Sequence, residues 1–258
     1  MLPPDVIDYT FSFLQSDFVT LKNCCYAHPF LASLAEHHLY VDLALQNHPT
    51  YFLYRFLPSH ILKVFAEKPY IPNVVQGLNI ELLSLRNGKD MTDSLEDIIS
   101  ILAIVGPRLK RLTLKGRGKG TVAWRNLDKT FQEAFLKCIR SLSVTELSIQ
   151  DIFAFPFSEL FGHATPKRLS LQGRFRLSTS SLHPPETLPA RSLESLSLCD
   201  FRPFNRILHT KAFKNLRSLD FQSAVAGDFR LLETFLDSCS HTLFSLRVDW
   251  SQVIPCKF

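Results

Sequence analysis

Cysteines and histidines are the side chains of this sequence that could carry out nucleophilic or metal chemistry. The six cysteines are scattered through apolar segments, and none forms a Cys-x-x-Cys pair or lies at zinc-finger spacing from a histidine pair. Cys199 and Asp220 could belong to a hydrolase site, but their spacing matches no nucleophile–base motif. The histidines that could supply a base are His28, His37 and His38. We therefore expect a non-enzymatic protein without metal or cofactor, whose thiols are reduced and buried.

A basic segment from Arg108 to Arg125 could bind an anion. It holds seven Lys or Arg residues and no acidic residue. Its glycines, at 116, 118 and 120, do not have the spacing of a phosphate-binding loop. We interpret the segment either as a solvated basic loop or as a site for an acidic or phosphorylated protein segment, and we do not favour nucleic acid as its ligand.

The spacing Leu-x-x-Leu-x-Leu recurs along the chain, with an aliphatic residue or Phe accepted at each key position. Its apolar residues are separated by three and then by two positions, which matches neither the spacing of an amphipathic helix nor the strict alternation of a strand. The spacing indicates a bend that runs into a short strand. Helical patterns follow at Asp93, from Leu127 to Arg140 and at Asp228. The copies begin at Val75, Leu109, Val144, Leu193, Leu216 and Leu243, with a shorter one at Pro166.

This alternation of strands and helices resembles the leucine-rich repeat. The resemblance implies an α/β fold in which each repeat adds one strand to a curved parallel sheet and all repeats share one core. An ordinary α/β domain with leucine-rich strands is the alternative. Because alternate residues of a strand face opposite sides, the neighbours of the buried leucines should line the concave face and bind a protein substrate. These candidates are Arg111, Thr113, Lys115, Glu146, Ser148, Gln150, Arg168, Ser170, Gln172, Ser197, Cys199, Asp220, Gln222, Arg247 and Asp249.

The first forty residues lack the repeat and predict three short helices. Pro3-Pro4-Asp5 suits a helix entry, Ser16-Asp17 restarts the chain into a second helix, and Pro29 opens a third. Three helices of this length make a small core, so we expect them to gain stability from a neighbour.

This N-terminal stretch resembles an F-box. The matching residues are Leu2, Pro3, Asp5, Val6, Phe13, Leu14, Asp17, Thr20, Leu21, Cys24 and Cys25, and Phe30 stands where the family commonly has Trp. With the repeats behind it, the chain resembles an F-box protein with C-terminal leucine-rich repeats of the fungal, basidiomycete type. The resemblance implies docking to a Skp-type adaptor, and through it to a cullin–RING ligase, by Leu2, Pro3, Val6, Ile7, Phe13, Leu14 and Leu21.

The predicted organisation has three parts: an F-box helical domain over residues 1–45, a helical linker that caps the repeats over 46–72, and a leucine-rich-repeat-like solenoid over 73–258. The alternative is a stand-alone repeat scaffold in which the first helices only cap the stack and the basic segment binds an anion. We expect a cytoplasmic or nuclear protein, because no apolar run has the length of roughly 18 to 20 residues that a membrane span requires.

Overall fold

A parallel sheet of eight strands carries the apolar residues of the repeated motif. The computed structural model describes residues 3–14, 17–46, 56–83, 92–117, 122–156, 166–173, 193–199, 213–222 and 228–249. Its sheet contains β1 (Asp42–Gln46), β2 (Gly77–Leu83), β3 (Arg111–Arg117), β5 (Glu146–Gln150), β7 (Arg168–Gln172), β8 (Ser195–Leu198), β9 (Ser218–Gln222) and β10 (Ser245–Asp249).

The order of these strands across the sheet follows their order in the chain, so each new strand pairs in parallel with the one before it. Two further strands, β4 (Val122–Ala123) and β6 (Ile152–Phe153), form a small parallel pair beside the main sheet. The predicted α/β class with a parallel sheet is confirmed, and each of the seven motif copies contains one of the strands.

Strands β3, β5, β7, β8 and β9 bury alternate residues, as the motif predicts, whereas β1 and β2 also bury Gln46 and Glu81. In β3, Leu112 and Leu114 are buried in the core while Arg111 and Thr113 remain partly exposed. The last strand departs from this pattern, because Leu246 of β10 occupies a core-facing position and is nevertheless 47% exposed. This strand lies at the edge of the sheet, where a core-facing leucine has a neighbouring strand on one side only.

Most helices in the described residues begin at or next to the predicted signals, whereas no start was predicted for the helices that begin at Pro58 and Ile71. Asp17 caps the helix that begins at Phe18 by accepting a hydrogen bond from the Thr20 amide at 3.0 Å. Asp128 caps the helix that begins at Lys129 in the same way. The helices are α1 (Pro4–Ser12), α2 (Phe18–Ala27), α3 (Pro29–Tyr40), α4 (Pro58–Glu67), α5 (Ile71–Val74), α6 (Thr92–Val105), α7 (Lys129–Arg140) and α8 (Asp228–Cys239).

The main core lies between the sheet and the helices that connect its strands. Helix α6 packs beside both α4 and α7, and their apolar faces meet the buried leucines of β2 and β3. Trp124, Phe131, Phe135 and Phe155 form an aromatic cluster here, with the rings of Trp124 and Phe155 4.7 Å apart. None of the helices in the described part of the chain has the length and apolar character needed to cross a membrane.

Strand β1 was not predicted from the sequence. It pairs with β2 over its whole length, so residues 42–46 belong to the sheet although 42–45 fall within the segment assigned to the N-terminal helices. Its sequence, Asp-Leu-Ala-Leu-Gln, shows only a short alternation without the bend of the repeated motif, and this is why the search for repeats passed over it.

Candidate protein-binding surfaces

The three N-terminal helices have a small core of their own. Phe11, Leu21, Ala35 and Leu39 are buried in it and form a cluster separate from the main core. A hydrogen bond of 2.8 Å between the Nε2 atom of buried His38 and the Oδ1 atom of Asp8 also joins α3 to α1. The arrangement fixes which side chains of α1 point outward.

Helix α1 presents an apolar stripe to solvent. Val6, Tyr9 and Phe13 are 45%, 66% and 68% exposed, and they lie at i, i+3 and i+7, which places them on one side of the helix. The rings of Tyr9 and Phe13 meet edge to face with their centroids 4.9 Å apart. Val19 and Tyr26 of α2 are further exposed apolar side chains in this helical unit. Exposed apolar patches are common at protein-interaction sites, so this stripe is a candidate binding surface.

The predicted adaptor-binding residues divide into three groups. Pro3, Val6 and Phe13 are exposed, whereas Ile7 and Leu14 are half-buried against the N-terminal core. Leu21 is fully buried, so its side chain supports the helices from inside and cannot contact a partner. Leu2 lies outside the described residues.

Tyr9, the most central residue of the stripe, is not among the adaptor-binding residues predicted from the sequence. The signal was present in the spacing of Val6, Tyr9 and Phe13, which is helical and apolar. The F-box motif leaves the residue at this position unspecified, so the resemblance does not point to Tyr9.

The predicted substrate-binding residues within the strands lie on the face of the sheet opposite the main core, whereas Cys199 follows β8 and packs against that core. The strand register aligns them in three rows that cross the strands. The rows contain, in order, Arg111, Glu146 and Arg168; then Thr113, Ser148, Ser170, Ser197, Asp220 and Arg247; and then Lys115, Gln150 and Gln172, with Gln222 and Asp249 paired further along the sheet.

Ion pairs between strands neutralise much of the charge of the first row. Arg111 reaches over Gly77, which has no side chain, and holds Asp42 of β1 with its Nη2 atom 2.8 Å from Oδ1. A second pair joins Arg168 Nη1 to Glu146 Oε1 at 3.0 Å. The middle row carries small hydroxyl side chains from β3 to β8, so the centre of this face is polar, shallow and close to neutral.

Two arginines of the basic segment also contact neighbouring side chains in the described residues. Arg117 pairs with Glu81, whose carboxylate is almost fully buried, at a distance of 2.9 Å. The Arg108 guanidinium donates a hydrogen bond to the side-chain amide oxygen of Asn73. The pair with Glu81 offsets one positive charge of the segment, and the contact with Asn73 occupies donors of the Arg108 guanidinium. The glycines at 118 and 120 lie outside the described residues.

The structure separates the residues of the considered hydrolase site. Cys199 follows β8 and donates a hydrogen bond from Sγ to the carbonyl oxygen of Gly173 at 2.9 Å. The histidines lie in the N-terminal helices beside β1, five strands away, which at about 4.8 Å per strand is roughly 24 Å. Burial raises the pKa of Cys138 to about 11, so this thiol is protonated at neutral pH.

Polar and aromatic contacts join the N-terminal helices to the rest of the structure. The Glu36 carboxylate of α3 accepts hydrogen bonds from Lys68 and from the Tyr70 hydroxyl, both of which lie beyond α4. Burial raises the pKa of Glu36, but these two hydrogen bonds outweigh it and lower the pKa overall. The ring of Phe56, which is bridged to β1, stacks on Tyr40 of α3 at 5.7 Å.

Comparison with known proteins identifies no relative. No family model matches the chain, and neither the curated proteins nor the solved structures contain a significant match. Function is therefore inferred from the two surfaces described above: the apolar stripe of α1 and the polar face of the sheet.

Proposed function

We propose that this chain is the substrate-recognition subunit of a Skp–cullin–F-box ubiquitin ligase. In this proposal the N-terminal helices are an F-box that docks on a Skp-type adaptor, and the sheet belongs to a leucine-rich-repeat solenoid that binds a protein substrate. The observation that carries it is the exposed stripe of Val6, Tyr9 and Phe13 on a helical unit that has its own core.

The stripe is suited to a stable protein interface. Burying a Val or Phe side chain contributes roughly 1.5–3 kcal/mol, so three apolar residues on one side of the helix can dominate the binding energy. Because Phe11 and Leu21 already hold the helices together from inside, the stripe is available to a partner without unfolding them. These features support an interface formed by α1.

The sheet face supports binding of a polypeptide. Its rows combine hydroxyl, amide and paired charged side chains, which can hydrogen-bond to a peptide without requiring it to carry a strong charge. The proposed contribution to catalysis is proximity alone. A tethered lysine of the substrate would meet the ubiquitin-charged enzyme at a high effective concentration, so this chain needs no catalytic side chain of its own.

Binding of the purified chain to a Skp-type adaptor tests the proposal. We expect Val6→Asp/Phe13→Asp to weaken adaptor binding by about 100-fold or more, because it removes two apolar contacts and places two charges in the interface. Isothermal titration calorimetry measures the change. Ser59→Asp adds a charge at an exposed position of α4, outside the N-terminal helices, and should leave the affinity unchanged.

Thermal unfolding of each variant provides the folding control, since all three positions are exposed. Failure of the wild-type chain to bind the adaptor would contradict the proposal. So would equal binding by the double variant. A stand-alone scaffold with an anion on its basic segment would then be the remaining candidate, although the pairing of Arg111 and Arg117 with carboxylates speaks against it.

A further inference from the structure

A cavity of about 380 Å³ opens at the edge of the sheet where β8, β9 and β10 begin. Three of its lining residues immediately precede these strands and occupy successive positions across them. The amide of Arg217 donates to the carbonyl of Glu194 at 2.8 Å, and the amide of Phe244 donates to the carbonyl of Arg217 at 2.8 Å. The cavity is lined by Glu194, Asn215, Arg217, His241, Thr242 and Phe244.

The polar part of this cavity contains both a carboxylate and hydrogen-bond donors. Its one carboxylate, Glu194, is engaged by Lys167, with Nζ 3.2 Å from Oε1. In contrast, the Arg217 guanidinium makes no ion pair with any described residue, although Arg111, Arg117 and Arg168 are all paired. The side chains of His241 and Asn215 add further donor groups beside it.

An aromatic side chain forms the apolar wall of the cavity. Phe244 is 86% exposed, the highest value among the large apolar residues of the described chain, and Leu246 lies two residues beyond it and is also exposed. An exposed ring in the same cavity as a guanidinium that no described carboxylate pairs with combines an apolar contact with charge recognition. Arginine's planar fork matches two oxygens of a carboxylate or phosphate.

We propose that this cavity binds an oxyanion, either a carboxylate or a phosphate, attached to an apolar group of a peptide. Arg217 holds the oxyanion, His241 and Asn215 donate additional hydrogen bonds, and the apolar group packs on Phe244. This binding site lies on a different edge of the molecule from the α1 stripe and does not depend on whether α1 binds an adaptor.

Ligand-observed NMR titration of the whole chain with three small-molecule probes tests this proposal. N-acetyl-L-phenylalanine presents a carboxylate next to a ring, phenyl phosphate presents a phosphate next to the same ring, and N-acetyl-L-phenylalanine amide retains the ring without a charge. We expect at least one charged probe to bind about tenfold or more tightly than the amide, because the charge-assisted contact with Arg217 is absent from the amide. The tighter of the two charged probes identifies the oxyanion.

Variants assign the binding to the cavity. Arg217→Gln should weaken the charged probe about tenfold or more, and Phe244→Ser should weaken both charged and neutral probes. Arg230→Gln removes the same charge from an exposed position of α8 outside the cavity lining and should have no effect. Equal binding of the charged and neutral probes, or equal affinity of the wild type and Arg217→Gln, would overturn the proposal.

Discussion

Single residues determine which charges on the sheet face remain available. Gly77 lets Arg111 cross an intervening strand to reach Asp42, since a Cβ atom at that position would lie 1.7 Å from the Asp42 carboxylate. The sequence analysis identified Arg111 as surface-exposed from the alternation of the strand. The sequence does not identify Asp42 as the partner of Arg111. Asp42 belongs to β1, which the repeat pattern does not include, and the register between strands is a property of the folded sheet.

Two glycine substitutions test this reading of the sheet. A Cβ atom at Gly116 would lie 2.5 Å from the backbone oxygen of Asp151, so Gly116→Ala should lower the free energy of unfolding by about 1–3 kcal/mol. Gly77→Ala should cost less than about 1 kcal/mol, because only the flexible Asp42 carboxylate must move and an exposed ion pair is lost. Urea unfolding measures both values, and a larger loss for Gly77→Ala would contradict the packing described.

The Tyr70 hydroxyl should show a pH-dependent effect on stability. Its hydrogen bond to Glu36, together with burial, raises the pKa of Tyr70 from 10.0 to about 12. Because the folded-state pKa lies above the unfolded value, the stabilisation is complete below pH 10 and is lost as the pH rises towards 12.

Urea unfolding between pH 8 and pH 12 measures this effect. The difference in stability between the wild type and Tyr70→Phe should shrink over the upper two pH units. A constant difference for Tyr70→Phe would indicate that the hydrogen bond to Glu36 is absent in solution.

At the scale of elements, local signals in the sequence predict most helix starts and most strands. Asp17 and Asp128 cap α2 and α7 because a carboxylate can accept the free amides of a first turn, a rule that needs no tertiary information. Strand β1 follows no such rule, since its five residues become a strand through pairing with β2. The cavity at the start of β9 and β10 was also missed, because loops from separate repeats form it together.

The cap of α7 gives a prediction at this scale. The Asp128 Oδ1 atom accepts hydrogen bonds from the amides of Thr130 at 2.8 Å and Phe131 at 3.1 Å. Asp128→Ala should therefore lower the unfolding temperature by about 2–4 °C. Glu133→Ala, at an exposed position in the middle of the same helix, should lower it by less than about 1 °C.

The cap should weaken in acid. The hydrogen bond from the Phe131 amide, followed by those of Thr130, lowers the pKa of Asp128 below its ordinary value of 3.8. The effect of Asp128→Ala should therefore be full above pH 4 and should decrease as the pH falls below that value. Differential scanning calorimetry at pH 7 and pH 3 measures both trends, and a larger effect at pH 3 would contradict this account of the cap.

On the scale of the whole molecule, each of the two cores supports one of the two surfaces. The small core of α1 to α3 positions the apolar stripe, and the main core positions the rows of polar residues on the sheet. Glu36 and Phe56 connect the two parts, so a partner on α1 would be held in a defined position relative to the sheet. The sequence could predict that both surfaces exist, but their connection depends on contacts between residues that are distant in the chain, such as Tyr70 and Glu36, 34 positions apart.

Hydrogen–deuterium exchange of the chain with and without a Skp-type adaptor tests the central claim most directly. We predict that the adaptor slows exchange in residues 4–14 of the N-terminal helices, where the stripe lies, and leaves strands β3 and β9 unchanged, because the sheet face stays open for a substrate. Unchanged exchange throughout the chain, or slowing on the sheet strands instead of α1, would contradict the assignment of the N-terminal helices as the adaptor-binding unit.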